Sequence, residues 1–168
     1  LWRPASLVRL AGVLQDTGLA GSQKDGEGLV FAAGEHFLSL VTFLGCAPQI
    51  SLTEDDAVHG QPVCRIRLHD YRAVQLLESQ SAPALRCSRC RSPQLRPSEP
   101  DYSQQLSCPA CGESSPLFRF DWRRSAAFGR CFVEIENVFP HEAVPADRLM
   151  AALELLSGCS WDYFYLSH

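Results

Sequence analysis

An α+β fold, with a small mixed or antiparallel sheet, two to three helices and an inserted metal-holding ribbon, is predicted from three observations. Residues 5–15 and 146–156 carry apolar side chains at helical spacing. Several short segments between them alternate, or are dense in β-branched and aromatic residues, as strands are. In the middle, Cys87-Ser-Arg-Cys90 and Cys108-Pro-Ala-Cys111 stand seventeen residues apart, a spacing that lets two Cys-x-x-Cys knuckles surround one metal ion.

Taken in order, Leu7, Leu10, Ala11 and Leu14 mark the first helix, which runs into Asp16-Thr17-Gly18. The four glycines between Gly18 and Gly28, with Ser22, Lys24, Asp25 and Glu27, predict a loop. That loop lacks the Gly-Lys-Ser/Thr ending and the strand-loop-helix frame of a phosphate-binding loop. Residues 29–33 and 36–44 predict a hairpin turning at Ala33-Gly34-Glu35. A polar stretch, 51–62, contains Glu54-Asp55-Asp56 and His59 without calcium-loop spacing, so it is taken as a solvated loop. From Val63 to Leu68 the pattern alternates, with Cys64, Ile66 and Leu68 on one face and Arg65 and Arg67 on the other.

Residues 70–79 are expected to form a short helix begun by Asp70, with Ala73, Leu76 and Leu77 inward. Between the knuckles, Ser92-Pro93 and Pro97-Ser-Glu-Pro100-Asp supply turn chemistry. Phe118, Phe120 and Trp122 then alternate with Leu117, Arg119 and Asp121 as a short strand, and 128–139 is the longest strand candidate. In the latter, Cys131, Val133 and Ile135 oppose Phe132, Glu134, Glu136 and Val138. Pro140 and Pro145 bracket a turn before the best helix, whose Leu149, Ala152, Leu153 and Leu156 precede Gly158. Trp161 to Leu166 is expected to close the chain as an aromatic strand.

At 168 residues the chain holds one full core, or one core with a small module, and not two large domains. The segment after the ribbon is too short to bury a core alone. Residues 1–83 and 117–168 are therefore expected to form one α+β core, with 84–116 as the insertion. The 46% apolar content is that of a globular protein, and no run of eighteen apolar residues spans a bilayer, so no membrane partner is expected. Cys46, Cys64, Cys131 and Cys159 are scattered singly among apolar residues, as free thiols in a reducing cytoplasm would be. A second metal site from these four with His36, His59, His69 or His141 is set aside in favour of buried free cysteine.

The four paired cysteines are expected to hold one Zn²⁺, iron being the other metal such a sulfur cage accepts. Four thiolates leave no position open for water or substrate, so this zinc is structural. The net charge of −4 hides an asymmetry: residues 84–130 carry eight Lys/Arg against four Asp/Glu, all eight being arginine. Arg86, Arg89, Arg91 and Arg96 surround the first knuckle, and Arg119, Arg123, Arg124 and Arg130 follow the second. Arginine suits bidentate recognition of carboxylate or phosphate, though such residues also solvate a module and offset the charge of a metal tetrathiolate.

The cysteine motif resembles the rubredoxin-like zinc ribbons over residues 84–118, and Cys108-Pro-Ala-Cys111-Gly112 matches their usual knuckle closely. Gly112 makes a turn there that glycine adopts cheaply; the first knuckle departs from the pattern, with Arg91 in the glycine's place. A ribbon of this kind precedes the catalytic domain of NADH pyrophosphatases, but no glycine-led helix with Arg-Glu and paired glutamates follows Cys111. That activity is therefore discarded.

Three functions are weighed. The first is a noncatalytic protein whose zinc ribbon presents Arg86, Arg89, Arg91, Arg96, Arg119, Arg123 and Arg124 to a partner. The sequence pI near 5.7 favours a protein partner over nucleic acid. The second is a hydrolase using Glu134 and Glu136 with His69, His141 or Glu142, since two carboxylates two residues apart share a strand face. No nucleophile elbow, His-Glu-x-x-His or nucleotide fingerprint accompanies them. The third is thiol redox chemistry, which two Cys-x-x-Cys pairs at ribbon spacing argue against.

Overall fold

The computed structural model describes residues 1–45, 50–55, 62–139 and 141–167. Cys46, Asp56, His59 and Pro140, named above, lie outside them. The class is α+β, and residues 20–23 with 30–33, 30–32 with 65–67, 41–43 with 143–145, and 105–107 with 114–116 pair antiparallel. The elements are α1 (Leu7–Asp16), β1 (Ala20–Gln23), β2 (Val30–Ala33), α2 (Phe37–Leu40), β3 (Val41–Phe43) and β4 (Arg65–Glu78). They continue with β5 (Gln105–Ser107), β6 (Ser114–Pro116), a 3₁₀ turn (Leu117–Arg119), β7 (Ala126–Glu136), β8 (Ala143–Pro145) and α3 (Asp147–Ser157). A four-stranded sheet has the order β1-β2-β4-β7, and β3 pairs with β8 and β5 with β6. Among the described residues no helix is long and apolar enough to cross a membrane.

The chain divides into two compact units, Leu1–Arg72 with Arg130–Asp162, and Ala73–Gly129 with Tyr163–His168. In the first, α1 starts at Ser6, whose hydroxyl accepts the Val8 amide at 3.2 Å, one of the amides a helix start leaves without an internal partner. Leu10, Ala11 and Leu14 of α1 and Leu149 and Leu153 of α3 enter one core with Leu19, Phe31, Phe37, Leu40, Cys64 and Ile66. The alternation over 63–68 holds, because Cys64 and Ile66 are fully buried while Arg65 and Arg67 stay half-exposed on the other face. Burying a side chain such as Ile66 contributes about 1.5–3 kcal/mol.

Several local expectations are corrected. Residues 20–23 are not loop but the edge strand β1, paired with β2 from Ala20↔Ala33 to Gln23↔Phe31 across a bulge. The strand expected over 36–44 begins instead with α2, whose Phe37 and Leu40, one helical turn apart, are both buried. Just before it Gly34 lies against Gly18, where no side chain fits: a Cβ on Gly34 would sit 2.3 Å from the Gly18 carbonyl oxygen. The hairpin foreseen between 29–33 and 36–44 does not form: β2 lies between β1 and β4, pairing with β4 in the register Phe31↔Ile66, and β3 pairs with β8.

The helix expected over 70–79 is strand, the second half of the fourteen-residue β4. Ala73, Leu76 and Leu77 imitate a helical stripe, but a short apolar run carries either period, and pairing with β7 decides between them. The aromatic tail forms no regular strand among its described residues. Trp161 packs on Trp2 with ring centroids 5.8 Å apart, whereas Tyr163 and Tyr165 belong to the second unit, where the Tyr165 amide donates to the Arg124 carbonyl at 2.8 Å.

The second unit has its own core of Leu85, Cys87, Cys108, Leu117, Phe120, Trp122 and Ala126. Residues 117–122 are not the alternating strand expected. The 3₁₀ turn sends Leu117 fully inward and leaves Phe118 39% exposed, after which Phe120 and Trp122 are buried and Asp121 bridges to Arg86. The sequence boundaries drawn at 84 and 116 thus fall inside a larger unit.

Candidate metal centre

Both knuckles sit at the ends of short antiparallel ladders. Residues β5 and β6 pair as Gln105↔Pro116, Leu106↔Ser115 and Ser107↔Ser114, which places Cys108 to Glu113 at the tip. Arg86 bridges Pro93, and Gln94 donates its amide to Leu85 at 2.8 Å, which places Cys87 to Ser92 at a second tip. The two turns have matching hydrogen bonds. The Gly112 amide donates to Cys108 at 2.8 Å and the Arg91 amide to Cys87 at 2.9 Å; Cys108 donates to Glu113 at 2.8 Å and Cys87 to Ser92 at 3.0 Å.

The residue after each second cysteine is left-handed, with φ of 73° at Gly112 and 65° at Arg91. Arg91 therefore makes the turn that glycine makes in the other knuckle, at a cost of about 1–2 kcal/mol for a residue bearing Cβ.

The four sulfurs of Cys87, Cys90, Cys108 and Cys111 lie within 4.8 Å of one another. Cys87 to Cys111 is 3.8 Å and Cys90 to Cys108 is 3.6 Å. Zinc–sulfur bonds of about 2.3 Å in a tetrahedron require sulfurs about 3.8 Å apart, whereas a disulfide brings them to about 2.05 Å. The donor set thus fits a tetrahedral thiolate metal and not a pair of disulfides. Cys87 and Cys108 are buried, Cys111 is half-buried and Cys90 is exposed.

Two residues that the spacing does not reveal complete the surroundings. The Ser92 hydroxyl lies 3.1 Å from the Cys90 sulfur and 3.2 Å from that of Cys108. The buried Gln94 side-chain amide donates to Cys108 at 3.3 Å and to the Ser92 hydroxyl at 2.8 Å. Ser92 pulls the Cys108 thiol down to about 6 and lowers Cys90 too. At Cys111 the Glu113 amide works downward, but burial and the neighbouring sulfurs outweigh it and hold the thiol at about 12. The only sequence trace of these donors is a Ser-Pro-Gln run that reads equally well as a turn.

The seven arginines expected to face a partner surround this unit, and most already meet a carboxylate or a ring. Arg89 reaches Glu113 at 3.2 Å, Arg91 reaches Asp121 at 2.8 Å, and Arg96 reaches Glu78 at 2.7 Å. Arg96 also lies 5.1 Å over Trp122, Arg119 lies 5.8 Å over Phe118, and Arg124 lies 3.8 Å over Tyr163. Arg123 and Arg124, with φ of 54° and 56°, form a tight turn closed by the Ser125 amide on the Trp122 carbonyl at 3.0 Å. That geometry normally selects Asn-Gly. The Arg123 amide donates to Asp121 at 2.8 Å, and Arg86 is half-buried in the ladder that reaches Asp121.

The carboxylates of the alternative hydrolase site are engaged in pairs on the outer face of the sheet. Glu134 meets His69 at 2.7 Å and Glu136 meets Arg67 at 2.5 Å. Tyr71 packs edge-on against Phe132 one step further along. Arg65 pairs with Glu27 at 2.6 Å. His69 is thus brought to Glu134, and Arg67 occupies Glu136. Compared with known proteins, the chain matches no family model, no curated protein and no solved structure.

Proposed function

We propose that this is a zinc-binding, noncatalytic protein in which Cys87, Cys90, Cys108 and Cys111 hold one structural Zn²⁺ and the arginine-rich unit around them docks an acidic protein partner. The observation that carries the zinc assignment is the sulfur geometry: edges of 3.6 and 3.8 Å suit a closed tetrahedral site. Four protein ligands complete zinc's coordination, so the metal contributes folding energy and not Lewis-acid chemistry. Free cysteines such as Cys64 and Cys131 suit a reducing cytoplasm as the setting. The arginines supply the partner chemistry, and a net charge of −4 opposes a densely charged polynucleotide more than a short acidic protein segment.

Elemental analysis of protein purified without chelator should give one equivalent of zinc per chain. Absence of metal, or mass-spectrometric detection of these four cysteines as disulfides, removes the zinc assignment. For the partner, Arg123→Glu should weaken binding of an acidic peptide and flatten its dependence on salt. Unchanged binding counts against the arginine surface.

A further inference from the structure

Four aromatic rings of the second unit run in series with a guanidinium at each end. Phe118 stacks on Tyr102 with centroids 4.6 Å apart and 15° between planes, Tyr102 meets Phe128 edge-on at 5.9 Å, and Phe128 meets Trp122 edge-on at 5.7 Å. Arg119 lies over the outer ring and Arg96 over the inner one. The inner end is core: Trp122 is buried, and its indole donates to the Leu117 carbonyl at 3.2 Å. The same core contains Cys87 and Cys108. The outer end is not buried. Phe118 is exposed although Leu117 beside it is completely covered, because the 3₁₀ turn directs one inward and the other outward.

A stack of rings rooted in the core that contains Cys87 and Cys108, with Arg119 over its exposed outer ring, has the composition of a protein-interaction hot spot, where aromatic residues and Arg dominate. Resting on the acidic-partner reading above, we infer that Phe118 and Tyr102 form the anchor of that interface and receive an aromatic side chain from an acidic peptide segment, whose carboxylates meet Arg119 and the neighbouring arginines. Charge complementarity chooses this occupant: Arg119 lies over the exposed ring, residues 84–130 carry eight arginines against four carboxylates, and the acidic remainder of the chain repels a long polyanion more than a short peptide.

Fluorescence anisotropy on the zinc-loaded full chain tests this with three labelled probes: an acidic peptide containing phenylalanine, the same peptide with alanine in its place, and oligothymidylate. The phenylalanine peptide should bind about tenfold or more tightly than the alanine peptide. Phe118→Ala should abolish that preference while leaving the zinc content at one equivalent. Tyr102→Leu, which keeps bulk but removes the flat stacking partner, should reduce it. Arg119→Gln should weaken both peptides.

Equal binding of the two peptides, or a preference that survives Phe118→Ala, overturns the anchor and leaves the arginine reading standing. Binding of neither peptide overturns both readings. Tighter binding of oligothymidylate that depends on Phe118 replaces the protein partner by single-stranded nucleic acid.

Discussion

Arg91 shows how one residue can carry both a structural cost and a charge. Its left-handed backbone repeats that of Gly112, while its guanidinium reaches Asp121 at 2.8 Å. Glycine relieves the backbone cost and loses an exposed ion pair that contributes under about 1 kcal/mol. Arg91→Gly should therefore be neutral or slightly stabilising, whereas Arg91→Ala keeps the strained backbone and loses the pair. The two variants should differ by about 1 kcal/mol in denaturant unfolding; equal midpoints would contradict the turn assignment.

A second residue-scale consequence concerns buried thiols. Burial pushes Cys64 and Cys131 from 9.0 up to about 12. A raised folded-state value means that the folded chain holds its proton where the unfolded chain releases it. The resulting stability is complete below pH 9.0 and is lost as pH rises from there to about 12. Urea unfolding across that window should show stability falling with pH, and Cys64→Ala should make the fall shallower. An unchanged slope in Cys64→Ala would exclude Cys64 as its source.

At the scale of elements, β4 carries the clearest energetic contrast. Its inward Ile66 is fully buried and its outward Arg67 is paired with Glu136. Ile66→Ala should cost about 2–5 kcal/mol through lost burial and a residual cavity. Glu136→Gln and Glu134→Gln should each cost no more than about 1 kcal/mol, because their partners stay partly solvated. Chemical denaturation of the three variants checks this, and a larger loss in the glutamine variants would show that the outer face behaves as core. The same strand explains a misjudged element. Residues 73–77 repeat their apolar groups as a helix would, and only the pairing of β4 with β7 fixes them as strand.

At the scale of the whole molecule, two separate cores imply unequal dependence on metal. The second unit's core includes Cys87 and Cys108, whereas the first is built from α1, α3 and the inward residues of β2 and β4. Chelation, or Cys108→Ser, should strip hydrogen-exchange protection from residues 85–122 and leave the amides of α1 and of Cys64 to Leu68 protected. Simultaneous loss of protection in both regions would show that the metal supports the entire chain.

By itself the sequence determined the α+β class, both long helices, the inward alternation of Cys64, Ile66 and Leu68, and the clustering of four cysteines. The helices and the alternation rest on a local period set by backbone geometry within a few residues, and the cysteine cluster rests on two Cys-x-x-Cys spacings whose chemistry suits one metal. Tertiary structure alone decided that residues 70–78 are strand, that Phe37 to Leu40 coil, that Phe118 faces out while Leu117 faces in, and that Ser92 and Gln94 reach the sulfurs. It also decided which arginines meet a carboxylate or a ring. The physical reason is common to all of these. A short apolar run or a single polar side chain has nearly equal local energies in several conformations, and contacts with residues distant in sequence select among them.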